Sequence, residues 1–371
     1  VVRARVLIRK VIELKVAVIE ALDFLEFDFA GKNVWVKPNL LGAYPPEAGV
    51  TTNPELVRRV VQELKRRNAS QIWVADNPAG VSRGMRLEYY LAPTGVVAAS
   101  EGCFVNAGVK PVNLWVDSHF VKEVPVSNII NEADVILNLP VFKTHALTVL
   151  TGAIKNMFGI IPGGYKSYLH TLARDGEEFA ELLVDIYQAI KLPILTIMDG
   201  LRGMDGINGP SGGRVWRLGM LLTSSNAVAL DAVMAMLVGV NPRAIPMLRI
   251  AGERGLGPIQ VDDIEIKGDF APIKGFRVPD TGFASLITRV SKPVYQVFVP
   301  RVPVLNVKRC IRCGECASNC PVQAIVLKPY PNIDRRRCIR CFCCSEICPT
   351  NAMVVAGRLR SFLERLVGRM R

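Results

Sequence analysis

The chain has 371 residues, 50% of them hydrophobic and 21% charged, which excludes an extended disordered chain and allows one large domain plus a smaller one. Its formal charge of +13 is uneven: residues 281–371 hold 16 Lys+Arg against 4 Asp+Glu, while residues 1–280 hold 30 against 29. Nine of the ten cysteines share that basic last quarter, so the positive charge travels with the thiols.

The first twenty residues mix Arg3, Arg5, Arg9, Lys10, Glu13 and Lys15 into apolar stretches, unlike a secretory signal. No window approaches the ~18 consecutive apolar residues that span a bilayer. Both observations point to a cytoplasmic location.

From about Lys32 to Lys267, β-rich runs alternate with helical patterns. This predicts an α/β fold with a largely parallel sheet and helices on both faces. Strands are expected at 33–37, 71–76, 134–139, 193–198 and 217–223, and helices near 54–67, 149–157, 177–190, 226–239 and 244–253. Ligands of open α/β sheets bind beyond the carboxyl ends of the strands. There the sequence places Lys37-Pro38-Asn39, Asp76-Asn77, Lys143-Thr144-His145 and Asp199-Gly200. Cap and turn formation is the plain explanation for any one of these, but four strand ends together favour a site. His145, beside Lys143 on an expected strand-end loop, is the candidate for proton transfer, with Asp76 or Asp199. His170 ranks below it, and His119 is read as incidental.

Thr51-Thr52-Asn53-Pro54 opens the first long helix with a cap residue followed by proline, leaving backbone N–H groups that could meet an anion, although Glu55 already complements them. Lys155-Asn156 could join Lys143 around one pocket. The glycine-rich stretch from Gly203 to Gly213 lacks a phosphate-loop pattern and is read as a flexible loop over that pocket, and no dinucleotide fingerprint follows the first strand.

Residues 281–306, with Pro293, Pro300 and Pro303, form an expected connector. Beyond it, C-x2-C-x2-C-x3-C-P occurs twice, at 310–321 and 338–349, an interval of 28 residues. Ile311, Arg312, Ala324 and Val326 recur as Ile339, Arg340, Ala352 and Val354, so the segment is an internal duplication. Three thiolates two residues apart can grip one face of an iron–sulfur cubane. Structural zinc would group its ligands in twos, and disulfides would need an oxidising compartment. Cys343 and Cys103 fall outside the spacing and are assigned no role. Residues 358–371 place Leu359, Phe362, Leu363, Leu366 and Met370 at helical spacing among five arginines, a basic amphipathic helix that docks on protein or on an anionic membrane surface.

The duplicated segment closely resembles the two-cluster bacterial ferredoxins, a small α+β domain. That likeness implies two [4Fe–4S] clusters and an exchange of fourth ligands: Cys310, Cys313, Cys316 and Cys348 for one, Cys338, Cys341, Cys344 and Cys320 for the other. Anionic clusters would also balance the basic surround. With Lys37-Pro38-Asn39-Leu40, Thr51-Thr52-Asn53-Pro54-Glu55-Leu56-Val57, Pro140-Val-Phe-Lys143-Thr144-His145 and Lys155-Asn156, the region from about 4 to 275 resembles the domain of unknown function 362 family. Its members are often joined to a C-terminal ferredoxin module, and the resemblance leaves the reaction open.

The resulting layout is an α/β domain over 1–280, a connector over 281–306, a two-cluster domain over 307–356 and the basic helix over 357–371. The expected function is an iron–sulfur oxidoreductase that moves electrons between a redox protein partner and a small anionic substrate. Lys37, Lys143 and Lys155 would neutralise that substrate, while Asn39, Thr52, Asn53, Thr144 and Asn156 would orient it. The competing reading is a non-enzymatic electron carrier or assembly factor that docks a protein partner through its basic face around Arg335, Arg336 and Arg337. Aromatic residues hardly interleave with the Arg runs, so nucleic acid is not expected.

Overall fold

A computed structural model describes residues 3–79, 86–279 and 301–357. The first domain runs β1 (Ala4–Lys10), α1 (Leu14–Phe24), β2 (Asn33–Pro38), α2 (Pro54–Arg66), β3 (Gln71–Val74), α3 (Leu87–Leu91), α4 (Val96–Ala99) and a hairpin of β4 (Pro111–Trp115) and β5 (Glu123–Ser127). It continues through β6 (Val135–Leu139), β7 (Val141–His145), β8 (Val149–Leu150), α5 (Gly152–Asn156), α6 (Gly163–Leu172), α7 (Gly176–Ala189) and β9 (Ile194–Asp205). β10 (Arg214–Trp216), β11 (Met220–Ser224), α8 (Ala227–Leu237), α9 (Pro246–Glu253) and β12 (Ile264–Gly268) complete it.

The central sheet has the order β12-β1-β11-β9-β6-β2-β3. β9, β6, β2 and β3 are mutually parallel, and β11 is antiparallel to both of its neighbours. Because side chains alternate along a strand, Val34, Val36, Leu137 and Ile197 pack with α1 and α2, while Trp35, Ile136 and Met198 pack with α5, α7 and α8. Both faces are therefore covered, as a parallel sheet requires. α2 shows why the sequence folds this way. Leu56, Val57, Val60, Val61 and Leu64 line one buried stripe, Pro54 fixes the first turn, and Asn53 Oδ1 accepts the Glu55 N–H at 2.9 Å.

Three expectations shift. The helix expected over 149–157 begins only at Gly152, after the two-residue β8. Lys143, Thr144 and His145 lie in β7 and not in a loop. Pro140 cannot donate to a ladder, but its carbonyl accepts the Asp199 N–H at 2.7 Å, and the chain resumes as a strand beside the long β9. Residues 301–305, assigned to the connector, form the first strand of the next unit. The rest of the connector and the basic helix lie outside the described residues.

That unit comprises β13 (Arg301–Leu305), α10 (Glu315–Ser318), β14 (Ile325–Leu327), β15 (Pro331–Ile333), α11 (Cys343–Glu346) and β16 (Met353–Gly357). β13 pairs with β16 and β14 with β15, both antiparallel. The duplication is visible in the backbone. Left-handed conformations recur at Arg312 and Arg340 (φ 58° and 59°), at Gly314 and Phe342 (86° and 63°), and at Gln323 and Asn351 (both 50°). At the second of these positions one repeat uses glycine, which tolerates that φ, and the other a phenylalanine buried against Ala146 and Leu147.

The glycine-rich loop expected to cover a pocket instead holds this unit in place. Asn208 Oδ1 accepts the Val355 N–H at 2.7 Å, and the Ser211 hydroxyl donates to the Ser345 carbonyl at 3.3 Å. From elsewhere, the Tyr44 hydroxyl donates to the Glu346 carbonyl at 3.0 Å and Arg301 Nη1 to the Ala146 carbonyl at 2.8 Å.

Within the first domain, Lys37 at the end of β2 donates to Asp76 Oδ1 at 2.7 Å, and both side chains are buried. A Cβ on Gly159 would overlap Asp76 Oδ1 and Lys37 Nζ. Gly159→Ala should therefore lower the unfolding free energy by about 3 kcal/mol, the scale for disrupting a buried ion pair. Denaturant melts read the change, and an unaltered midpoint would mean that the pair can move aside freely.

Candidate functional site

The four parallel strands deliver their carboxyl ends to one rim. Asp76 Oδ2 also accepts the Leu40 N–H at 2.7 Å, so its pair with Lys37 is fully engaged. Burial pulls the Lys37 ammonium pKa down, and Asp76 opposes that shift. Lys143 Nζ, buried in β7, donates to Asn39 Oδ1 at 2.8 Å and to the Val50 carbonyl at 2.5 Å. Asn39 Nδ2 donates to Asn156 Oδ1 at 2.7 Å, and Asn156 Nδ2 to Asn138 Oδ1 at 2.7 Å. This chain of amides fixes the orientation of each member. Burial, aided by Lys155, lowers Lys143 to about 7.

Four other sequence candidates serve the framework and do not line the cavity. The Thr52 hydroxyl donates to the Leu139 carbonyl and accepts the Asn39 N–H, both at 2.7 Å. Asn53 caps α2. The Thr144 hydroxyl donates to the Gly206 carbonyl at 2.8 Å, anchoring the glycine-rich loop. Asp199 accepts the N–H groups of Asn53 and Leu201 at 2.7 and 2.9 Å. Burial raises it to about 6 against those two bonds.

A small cavity of about 80 Å³ opens beside this rim, with Asn39, Lys155, Lys166 and His170 on one side and Cys343 and Glu346 of α11 on the other. The site thus lies between the two units. Lys166 Nζ donates to the Asn77 carbonyl, and burial lowers it to about 8. His170 stacks on Phe179 with ring centroids 4.1 Å apart, and burial lowers it to about 3.

His145 lies just behind the wall. Its Nδ1 accepts the N–H groups of Leu147 and Thr148 at 3.1 and 3.3 Å, so the ring's proton sits on Nε2. That nitrogen is 3.0 Å from Glu346 Oε1. The separation suits a hydrogen bond, but the two groups are not well aligned for one, so the contact is chiefly electrostatic. Burial, reinforced by Lys155, lowers His145 to about 4. Burial alone would raise the Glu346 carboxyl, but His145 beside it, with Lys155 and His170, holds it well below the ordinary carboxylate range. At neutral pH the pair is therefore an imidazole facing a carboxylate.

Lys166, Glu346, Cys343 and Thr151 were not identified from the sequence. α6 begins with two glycines and shows little amphipathic patterning, and Glu346 sits inside a cysteine run whose spacing says nothing about which side faces the sheet.

The cysteines suit a sulfur-rich cofactor. The Ala324 N–H donates to Cys320 Sγ at 3.2 Å and the Ala352 N–H to Cys348 Sγ at 3.1 Å, equivalent bonds in the two repeats that would stabilise thiolates. Cys316 lies in the field of Cys348, Cys313 and Cys310, whereas Cys338 lies in that of Cys341 and Cys320. Cys316 thus feels the last cysteine of the opposite repeat, and so does Cys338.

Fold and site together define an α/β domain carrying a docked ferredoxin-type module for iron–sulfur electron transfer. The chain belongs to the family described as domain of unknown function (DUF362), matched over residues 34–236, and a 4Fe-4S dicluster domain matches residues 309–352. It is 33% identical over 230 residues to the "Thylakoid-associated protein sll1697" of Synechocystis, covering 62% of this chain and 70% of that protein. Among solved structures, the lactate racemase apoprotein of Thermoanaerobacterium thermosaccharolyticum overlaps 63% of this chain and 57% of its own, with a TM-score of 0.42 and 14% identity. A Thermotoga maritima protein overlaps 58% and 55%, with a TM-score of 0.37 and 14% identity. Among the described residues no helix is long and apolar enough to cross a membrane.

The two buried histidines give a pH prediction. Their folded pKa values, about 4 for His145 and about 3 for His170, lie below the ordinary 6.5. Below pH 6.5 the unfolded chain therefore binds protons that the folded chain does not, and stability falls as pH drops toward 4. Each histidine contributes a slope of about 1.4 kcal/mol per pH unit in that window. His170→Phe, which keeps the stack on Phe179, should remove one such share when denaturant melts are compared at pH 7, 6 and 5. An unchanged slope would show that His170 is not buried in its neutral form.

Proposed function

We propose that this protein is an iron–sulfur oxidoreductase that exchanges electrons between a redox protein partner and a small anionic substrate in the cavity between its two units. Cys310, Cys313, Cys316 and Cys348 would hold one [4Fe–4S] cluster, and Cys338, Cys341, Cys344 and Cys320 the other. When bound, such clusters supply one-electron transfer. The reading is carried by one observation: α11, which contains Cys344 and ends two residues before Cys348, forms the cavity wall together with the lysines of the α/β domain. A cytoplasmic compartment fits ligand thiols that must stay reduced.

The residues of the chain divide the work. Lys155 and Lys166 neutralise the anion, and Asn39 and Asn156, locked in their amide chain, orient it. His145 holds Glu346 in place through its fixed tautomer. Lys143, at about 7, is the member of the set poised to exchange a proton near neutrality, with Asn39 relaying its orientation to the cavity.

Anaerobically purified protein is expected to contain about eight irons per chain. After reduction, its visible cluster absorbance should be bleached, then recover when an acceptor from a panel of small carboxylates and keto acids is added. Lys155→Met should lower kcat/KM for that acceptor by about tenfold or more, the loss of one charge-assisted contact, with iron content and spectrum unchanged. Zinc in place of iron would end the redox reading. Full iron with no response to any small acid would leave the carrier that docks a protein partner.

A further inference from the structure

Thr151 and Lys155 share one unusual property: among the described residues each is left short of partners at the cavity. Thr151 is only 3% exposed, yet its Oγ1 has no hydrogen-bond partner among the described residues, and it lines the cavity. A buried hydroxyl in that state is costly unless something else meets it. Lys37, Lys143 and Lys166 each donate to an oxygen, but Lys155 Nζ makes no hydrogen bond or ion pair among the described residues. It lies over the Phe158 ring, 5.9 Å from the centroid. Three ammonium protons are therefore available to a ligand.

Glu346 supplies the other half. Its carboxylate lines the same cavity and attracts Lys155, yet the two form no ion pair within 4.0 Å. Opposite charges in a poorly solvated cavity gain strongly from closing, so a gap held open between them is shaped for something that touches both. A bare anion on Lys155 would face the repulsion of Glu346. A ligand with a hydrogen-bond donor beside its anionic group turns that repulsion into a charge-assisted bond.

We infer that the cavity binds a small monocarboxylate bearing a hydroxyl or amino group next to its carboxylate, with Lys155 and Thr151 taking the carboxylate and Glu346 the adjoining donor. This rests on reading the cavity as a small-anion site. The cavity, at about 80 Å³, suits a small acid. Phosphate fits less well, because its second negative charge would meet Glu346.

Calorimetric titration of the anaerobically purified, iron-loaded protein with lactate, alanine, propionate and orthophosphate at pH 7 tests this. Lactate or alanine should bind about tenfold or more tightly than propionate, which lacks the donor, and the two together tell a hydroxyl from an amino ligand. Glu346→Gln should shrink that ratio toward one, and Thr151→Val should weaken lactate and propionate alike. The comparison within the unaltered protein stands even if a variant folds poorly. Equal affinity for lactate, alanine and propionate overturns the inference but leaves the small-anion reading intact, as does phosphate binding tighter than every carboxylate. Binding of none of the four overturns both.

Discussion

The structure turns on one carboxylate crossing from one unit to the other. The rim of the sheet gathers Lys143, Lys155, Lys166, His145 and His170, and among these groups burial is the leading cause of every pKa shift. Asp76 is already committed to Lys37, so the α/β domain brings little negative charge of its own to the cavity. Glu346 supplies it from the module, reaching His145 at 3.0 Å while Tyr44 holds its backbone carbonyl. The arrangement couples the docking of the module to the electrostatics of the rim. Among the described residues, polar docking contacts through Asn208, Ser211 and Arg301 accompany it, beside a small apolar patch at Phe342 and Val355.

Much of this was legible in the sequence, for identifiable reasons. Cysteine spacing is set by covalent reach, so the repeats at 310–321 and 338–349 announced themselves, and the recurring left-handed positions follow from the same duplication. β2, β6 and β9 are buried on both faces, β3 at the sheet edge on one, and all read as compact apolar runs, which is why their polar ends could be located. β1 went unnoticed because Arg3, Arg5, Arg9 and Lys10 mask its apolar residues Val6 and Ile8, although it sits inside the sheet between β12 and β11. The strand nature of Lys143 to His145 was hidden by Pro140, which normally signals an ending.

The division of labour among the rim residues was less legible, because a side chain's type does not reveal whether its bonding capacity is already used. Thr52, Thr144 and Asp199 resemble ligand-binding residues in the sequence, yet each is occupied by backbone groups. Lys155 and Lys143 look equivalent there as well. In the fold Lys143 commits two of its three donors to Asn39 and Val50, while Lys155 makes no hydrogen bond among the described residues. A search by residue type finds the neighbourhood, and only the count of partners separates framework from site.

The two repeats, alike in sequence, end in unlike surroundings. In the first, Ile311, Cys313 and Glu315 are exposed; at the matching positions of the second, Ile339 and Cys341 are half-buried and Cys343 is buried, while Cys316 and Cys344 are buried alike. The change from Gly314 to Phe342 at one left-handed position marks the difference, because an aromatic ring there tolerates an unusual backbone in exchange for packing on Ala146 and Leu147. Solvent exposure and hydrogen bonds to sulfur tune iron–sulfur potentials. A duplication pressed on one side against a lysine-rich rim therefore cannot keep its halves equivalent: the loop around Cys313 faces solvent among Lys308, Arg309 and Arg312, while Cys343, Glu346 and Ile347 of the second repeat line the cavity, which the first repeat meets through Asn319. Docking gives two nearly identical ligand loops unlike surroundings, and no further change in the cysteine pattern is needed.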